Sequence, residues 1–172
     1  MAMLIPTEFV ENAAGFRLSV LQPSDVDTFV SLFTDAEIMK HIGQPMHIDA
    51  AVTDAINASK LSNRSKTHQL YLRIASADGR AAGVFSVVAN KDCTLIEIGI
   101  MLLPCFQRTG LTALVVKNVC VKLLNRYSGC QIFCQVKSDN EAAKRRALKL
   151  GFIATEINTR YVLDSHILLS SE

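Results

Sequence analysis

Between residues 16 and 21 apolar and polar side chains alternate as Phe-Arg-Leu-Ser-Val-Leu, the period-two signature of a half-buried strand. Beyond Pro23 the period lengthens. Val26, Phe29, Val30 and Phe33 share one face of a helix that starts at Ser24 or Asp25. Thr34-Asp35 can cap a short helix from Ala36 to His41, which ends near Gly43-Gln44-Pro45. Asp49 opens another, with Ala50, Ala51, Ile56 and Leu61 as its small and apolar positions, and residues 63–67 form a polar loop. The pattern then turns to strands at 69–75, 81–89 and 94–103, separated by Ala77-Asp78-Gly79-Arg80 and Asn90-Lys91-Asp92 turns. Three strands joined so tightly form an antiparallel meander. A helix over about 109–125, a strand at 131–136, a helix at 139–150 and strands at 152–157 and 160–168 complete the chain, with a turn near Asn158. The pattern predicts one α/β (α+β mixed) domain over residues 1–172. Its core is a mixed, mostly antiparallel sheet of six to seven strands, with helices on both faces.

Composition narrows the class. Hydrophobic residues make up 49% of the 172 positions and charged residues 20%, which excludes a disordered chain. A net charge of +2, with Lys144-Arg145-Arg146 as the densest basic spot, gives no footprint for nucleic acid. The most apolar stretch, residues 111–124, is broken by Lys117, Asn118 and Lys122 and is shorter than the roughly 20 residues of a membrane span. The start, Met1-Ala2-Met3-Leu4-Ile5-Pro6, is a poor signal peptide. Five cysteines without Cys-x-x-Cys, and four histidines without ligand spacing, read as reduced thiols in a cytoplasmic protein that holds no metal. Cys105 stands apart because it lies beside a turn of special interest.

That turn belongs to the most informative segment, residues 96–113. An apolar strand runs into Pro104, then Gln107-Arg108-Thr109-Gly110, then an unbroken helical run. Such an arrangement aims amides from a turn and a helix start at one point, an anion site suited to a diphosphate. Gly110 allows a backbone shape that a β-carbon would obstruct. The amides of Arg108 through Ala113 are then free to donate, and Arg108 can add a charge-assisted contact. Downstream, Asn140-x-Ala142-Ala143 precedes Leu150-Gly151-Phe152; Ser138 and Glu141 fit a capping box, and Gly151 a left-handed helix end. Glu97 is the one acid within Leu95-Ile96-Glu97-Ile98-Gly99, so it either points to solvent or occupies a polar cleft.

With these two segments the chain resembles the GNAT superfamily of acetyl-CoA-dependent N-acetyltransferases. Residues 34–43 and Glu97-Ile98-Gly99 are similar to the branch acting on ribosomal-protein N-termini and comparable amines. The order of predicted elements also agrees with that fold. The resemblance implies acetyl-CoA as co-substrate, with Gln107, Arg108, Thr109, Gly110, Leu111 and Thr112 in the diphosphate signature. Thr112 stands where a smaller residue is expected, and Ala113 comes one step late. Ile100, Met101 and Leu102 match the stretch that splays from its neighbour and offers main-chain groups to the pantetheine arm. Composition does not separate this from a core strand paired on both sides. Asn140 matches the asparagine that bonds the same arm, although local sequence alone reads it as a polar residue at a helix start. Glu97 matches an acid used as base, commonly through water, or as the group that positions the amine; the other reading is a solvent-facing strand position. Lys144, Arg145 and Lys149 form a solvated face, or one of them reaches the adenosine 3′-phosphate.

One position departs from the pattern. The tyrosine that protonates the leaving thiolate in many members is replaced by Ala147, and Tyr71, Tyr127 and Tyr161 do not match it. The implied function is acetyl transfer to a primary amine, on a protein N-terminus or a small molecule, by direct attack in a ternary complex. The alternative is a non-catalytic acyl-CoA sensor or partner-binding module. Nucleotide-binding glycine motifs are absent. A monomer and a homodimer are both compatible with the chain.

Overall fold

The computed structural model describes residues 2–157 and 159–164. Its eight strands are β1 (Glu11–Ala13), β2 (Phe16–Val20), β3 (Gln69–Ser76), β4 (Ala81–Ala89), β5 (Leu95–Leu102), β6 (Gln131–Gln135), β7 (Phe152–Ala154) and β8 (Arg160–Leu163). Its helices are α1 (Val26–Thr34), α2 (Ala36–Met39), α3 (Ile48–Ser62), α4 (Leu111–Arg126) and α5 (Glu141–Lys149). All strands join one sheet in the order β1-β2-β3-β4-β5-β6-β8-β7. Every pairing is antiparallel except β5 with β6.

The expected six to seven strands become eight. The addition is β1, three residues long and joined to β2 across Ala14-Gly15, too short for alternation to register. The expected end of the last strand, 165–168, and the turn at Asn158 lie outside the described residues. Elsewhere the ends move by a few residues. The helix expected from Ser24 or Asp25 starts at Val26, because Pro23–Asp25 form a 3-10 turn. The strand expected to reach Ile157 stops at Ala154.

Helices cover both faces because the strands alternate. Leu70, Leu72 and Ile74 of β3, Phe85 and Val87 of β4, and Ile96 and Ile98 of β5 meet Val115, Val119 and Leu123 of α4. Ala147 and the half-buried Ala143 of α5 join that core. On the other face Val84, with Tyr71 and Met101 at its edge, meets Phe29 and Leu32 of α1 and Ala55 and Ala58 of α3. Each fully buried Leu or Phe contributes roughly 1.5–3 kcal/mol to this arrangement. The buried hydroxyl of Ser62 ties α3 to the sheet. It donates to Ala58 O (2.8 Å) and accepts from Tyr71 N (2.7 Å), so no polar group is buried there without a partner.

Candidate active site

The sheet splits where β5 leaves β6. Their parallel pairing covers Leu95↔Gln131, Ile96↔Ile132 and Glu97↔Phe133 and stops there. β5 stays paired to β4 as far as Gly83↔Leu102. β6 continues with β8 through Gln135↔Arg160, and Val136 N then donates to Thr159 O. Main-chain groups of alternate residues face opposite edges of a strand. Gln131 N donates to Thr94 O on the β6 side, whereas Leu103 N donates to Ala82 O on the β4 side. The even-numbered residues of β5 therefore face the split. Leu102 O is taken by Gln107 Nε2 at 3.0 Å. Ile100, past the last parallel pair, is left with its N–H and C=O turned into the gap.

A cavity of about 350 Å³ fills this gap. Val116, Ala143, Ala147 and Phe152 line it on the α4–α5 face, Ile38 and Met101 on the α1–α3 face, and His41 and Ile42, just after α2, add to the wall. Residues of both layers therefore meet at the cavity, across the plane of the sheet.

The turn expected to hold an anion sits at its rim. Pro104–Phe106 make a 3-10 turn, and Gly110 caps α4 with φ +84°. Arg108 also has positive φ, +62°, a strained conformation for a residue with a β-carbon. Thr109 Oγ1 donates to Phe106 O at 2.8 Å and braces the turn. Among the described residues, the amides of Arg108, Thr109, Gly110 and Thr112 donate to no protein acceptor. The amide of Ala113 is not free, because it bonds Gly110 O at 3.0 Å in the first turn of α4. Leu111 N lies 3.5 Å from Thr109 Oγ1, and its side chain is buried in the core. Gln107 and Thr112 line the cavity, whereas Arg108, Thr109, Gly110, Leu111 and Ala113 do not. A β-carbon built on Gly110 would meet no heavy atom within 4 Å, so the space before the turn is open.

Asn140 is the N-cap of α5; its Oδ1 accepts from Ala143 N at 3.0 Å. The expected Ser138–Glu141 capping box does not form, because the helix starts two residues later than such a box requires. Glu141 instead accepts from Lys144 Nζ at 2.7 Å, which holds its carboxyl below the usual range. With Oδ1 committed to the cap, Asn140 Nδ2 is the group available to the cavity that Asn140 lines. Ala147 also lines it and brings no proton donor. Of the basic residues on this helix, Arg146 reaches the wall, rather than Lys144, Arg145 or Lys149. Helical spacing contains that signal: Ala142, Ala143, Arg146, Ala147 and Leu150 make one face.

Ile100, Met101 and Leu102 line the cavity, but Glu97 does not. Glu97 is the last residue of β5 paired with β6, one step short of the gap, and its side chain lies on the α1–α3 face. Its Oε2 is 3.5 Å from Nε2 of Gln135, which does line the cavity. Beside them the Arg160 guanidinium stacks 4.4 Å from the Phe133 ring centre. Sequence reading missed Gln135, Cys134, Glu37 and His41. Burial, with the nearby Glu97 charge adding to it, pushes the Cys134 thiol up to about 11. His41 Nδ1 lies 3.5 Å from Asp139 Oδ1, an ion-pair distance with poor hydrogen-bond geometry, and is shielded from solvent. Among the described residues no His, Cys, Asp or Glu cluster could hold a metal ion, and no helix is long and apolar enough to cross a membrane.

A family model described as "Acetyltransferase (GNAT) domain" matches residues 16–153. No curated protein sequence matches the chain. Among solved structures, spermidine N-acetyltransferase from Vibrio cholerae in complex with CoA and spermine aligns with a TM-score of 0.75 at 15% identity, covering 92% of this chain and all of that one. Aminoglycoside acetyltransferase AAC(6')-Ib in complex with coenzyme A gives 0.72 at 13% identity, over 91% of this chain and 98% of that one. The ribosomal L7/L12 alpha-N-protein acetyltransferase RimL with coenzyme A gives 0.71 at 14%, over 89% and 96%. Likeness at such low identity establishes the fold.

Proposed function

Because the chain belongs to the GNAT acetyltransferase family, whose members move an acetyl group from acetyl-CoA to amines, we propose direct transfer to a primary amine in a ternary complex. Residues 1–172 act as one such domain, in the cytoplasm, as a monomer or homodimer and without a metal. The observation that carries this reading is the split between β5 and β6, lined by residues of both layers of the molecule. One reactant can enter from the α4–α5 side and the other from the α1–α3 side, so both reach the reacting atoms at once.

The residues around the split suit acetyl-CoA. Free amides at Arg108, Thr109, Gly110 and Thr112 fit a diphosphate, and the Arg108 side chain can follow it. Ile100 offers a donor and an acceptor to a peptide-like arm, flanked by Met101 and Leu102, and Asn140 Nδ2 offers a further donor. Leu111 and Ala113 serve this site by building the start of α4. Arg146 is the cation placed to meet a further phosphate. Glu97 acts through Gln135 as a positioning group for the amine.

The acceptor is an amine on a protein N-terminus or a small molecule. Proteins of like fold act on spermidine, on an aminoglycoside and on a ribosomal-protein N-terminus. Ala147 supports the second reading, a sensor that holds acyl-CoA without turnover. Thiol release from acetyl-CoA, measured against a panel of polyamines, aminoglycosides and unblocked peptides, decides between them. Turnover near ordinary enzyme rates with one acceptor class is expected; binding without turnover would leave the sensor. Gly110→Glu, which fills the open space before the turn with a like charge, should abolish both binding and turnover.

A further inference from the structure

We propose that His41, whose ring lies beside the Asp139 carboxylate, is the general base that takes the proton from the attacking amine. This rests on the transferase reading above and assigns its proton acceptor.

The argument begins by elimination. Four residues of the cavity wall are titratable: Glu37, His41, Cys134 and Arg146. Arg146 keeps its proton at any working pH. Cys134 is held protonated by its burial and by Glu97, so it accepts nothing near neutrality. Glu97 stands outside the wall, one register step short of the split. Glu37 is exposed, one turn before His41 on the same segment. His41 is half-buried and brings an imidazole, a common proton acceptor in catalysis, to the cavity wall.

Its placement supports the same role. His41 follows α2, whose Ile38 packs with the α1–α3 layer, and lines the cavity. Nδ1 is shielded from solvent against the Asp139 carboxylate at 3.5 Å, just before the Asn140 cap. With Nδ1 shielded, Nε2 is the nitrogen left to take a proton. Asp139 is the carboxylate beside the ring, and Glu37 and Arg146 are the other charged residues of the cavity wall.

The step balances without another reagent. The amine nitrogen bonds to the thioester carbon, His41 Nε2 takes a proton from that nitrogen, and the carbon–sulfur bond breaks with its electron pair on sulfur. Ala147 offers no proton, so solvent protonates the thiolate. The imidazolium returns its proton to bulk water.

The test uses the full chain, with thiol release followed against spermidine and an unblocked alanyl peptide, and kcat measured at saturating amine across pH. His41→Gln should lower kcat about 10²-fold at pH 8, with calorimetric affinity for CoA unchanged. The fall of kcat toward acid pH should disappear in that variant. In His41→Gly, added imidazole should restore part of the rate, which a merely structural histidine would not show. The same acid fall in His41→Gln as in the unaltered protein would overturn the assignment. So would a loss of rate traced wholly to weaker CoA binding. Absence of thiol release from the unaltered protein, with CoA still bound, would overturn direct transfer itself and this inference with it.

Discussion

Asn140 has two tasks that a single substitution can separate. Its Oδ1 caps α5 through Ala143 N, whereas Nδ2 is the donor left for the cavity. Asn140→Asp keeps the capping oxygen and removes the donor. Its melting temperature should stay within a degree or two of the unaltered protein, while affinity for acetyl-CoA falls about tenfold, the loss of one hydrogen bond of about 1.4 kcal/mol. Asn140→Ala removes the cap as well and should cost about 1 kcal/mol of stability. Calorimetry and thermal melts on the pair separate the two roles; equal affinity in Asn140→Asp would end the binding role. Arg108 carries a related trade. Its left-handed backbone costs roughly 1–2 kcal/mol, strain that sits beside four unbonded amides.

β5 is one strand with two environments on its β6 side. Up to Glu97 it is paired; beyond, Ile100 has no partner strand there. Amide exchange measures this directly. In the free protein the Ile100 amide should exchange much faster than those of Met101 and Gly99, whose main-chain groups face β4. Added CoA should slow Ile100 by an order of magnitude or more if the arm pairs with this edge. Equal protection of all three in the free protein would mean that the edge is closed. The same divergence explains why the cavity has an apolar wall on both sides, since each layer of helices supplies one.

At the scale of the molecule, the thiols report on the core. All five cysteines are free; Cys93, Cys120 and Cys130 are buried and Cys105 is exposed. One thiol, Cys105, should therefore react quickly with a thiol reagent. Burial raises Cys134 to about 11, Tyr127 to about 12, and Cys120 as well. Unfolded thiols lose their proton near 8.5. Between that value and the folded one, the native state binds more protons than the unfolded state, so stability falls as pH rises. The contribution is fully present below about pH 8.5. Melting temperature should decline by several degrees from pH 8.5 to 10.5, and Cys134→Ser, which removes one such thiol, should flatten the decline. A flat profile in the unaltered protein would mean that these thiols are open to water.

Local chemistry settled much of this protein before any tertiary contact. Period two in 16–21 and the helical run after Gly110 give those elements almost to the residue, because periodicity records which face is buried. Gly110 and Gly151 mark left-handed positions, and Asn140 a helix start, through properties of single residues. Partner choice is not local. No pattern within β5 or β6 says that their pairing ends at Glu97, since that depends on β6 following β8 instead. The exclusion of Glu97 from the cavity follows from that one register position. The approach of His41 to Asp139, and the inward turn of Arg146 while Lys144 pairs with Glu141, needed helices from both layers set against the sheet. Sequence fixes what each segment buries; the folded chain decides what each segment meets, because facing is a property of one element and contact a property of two.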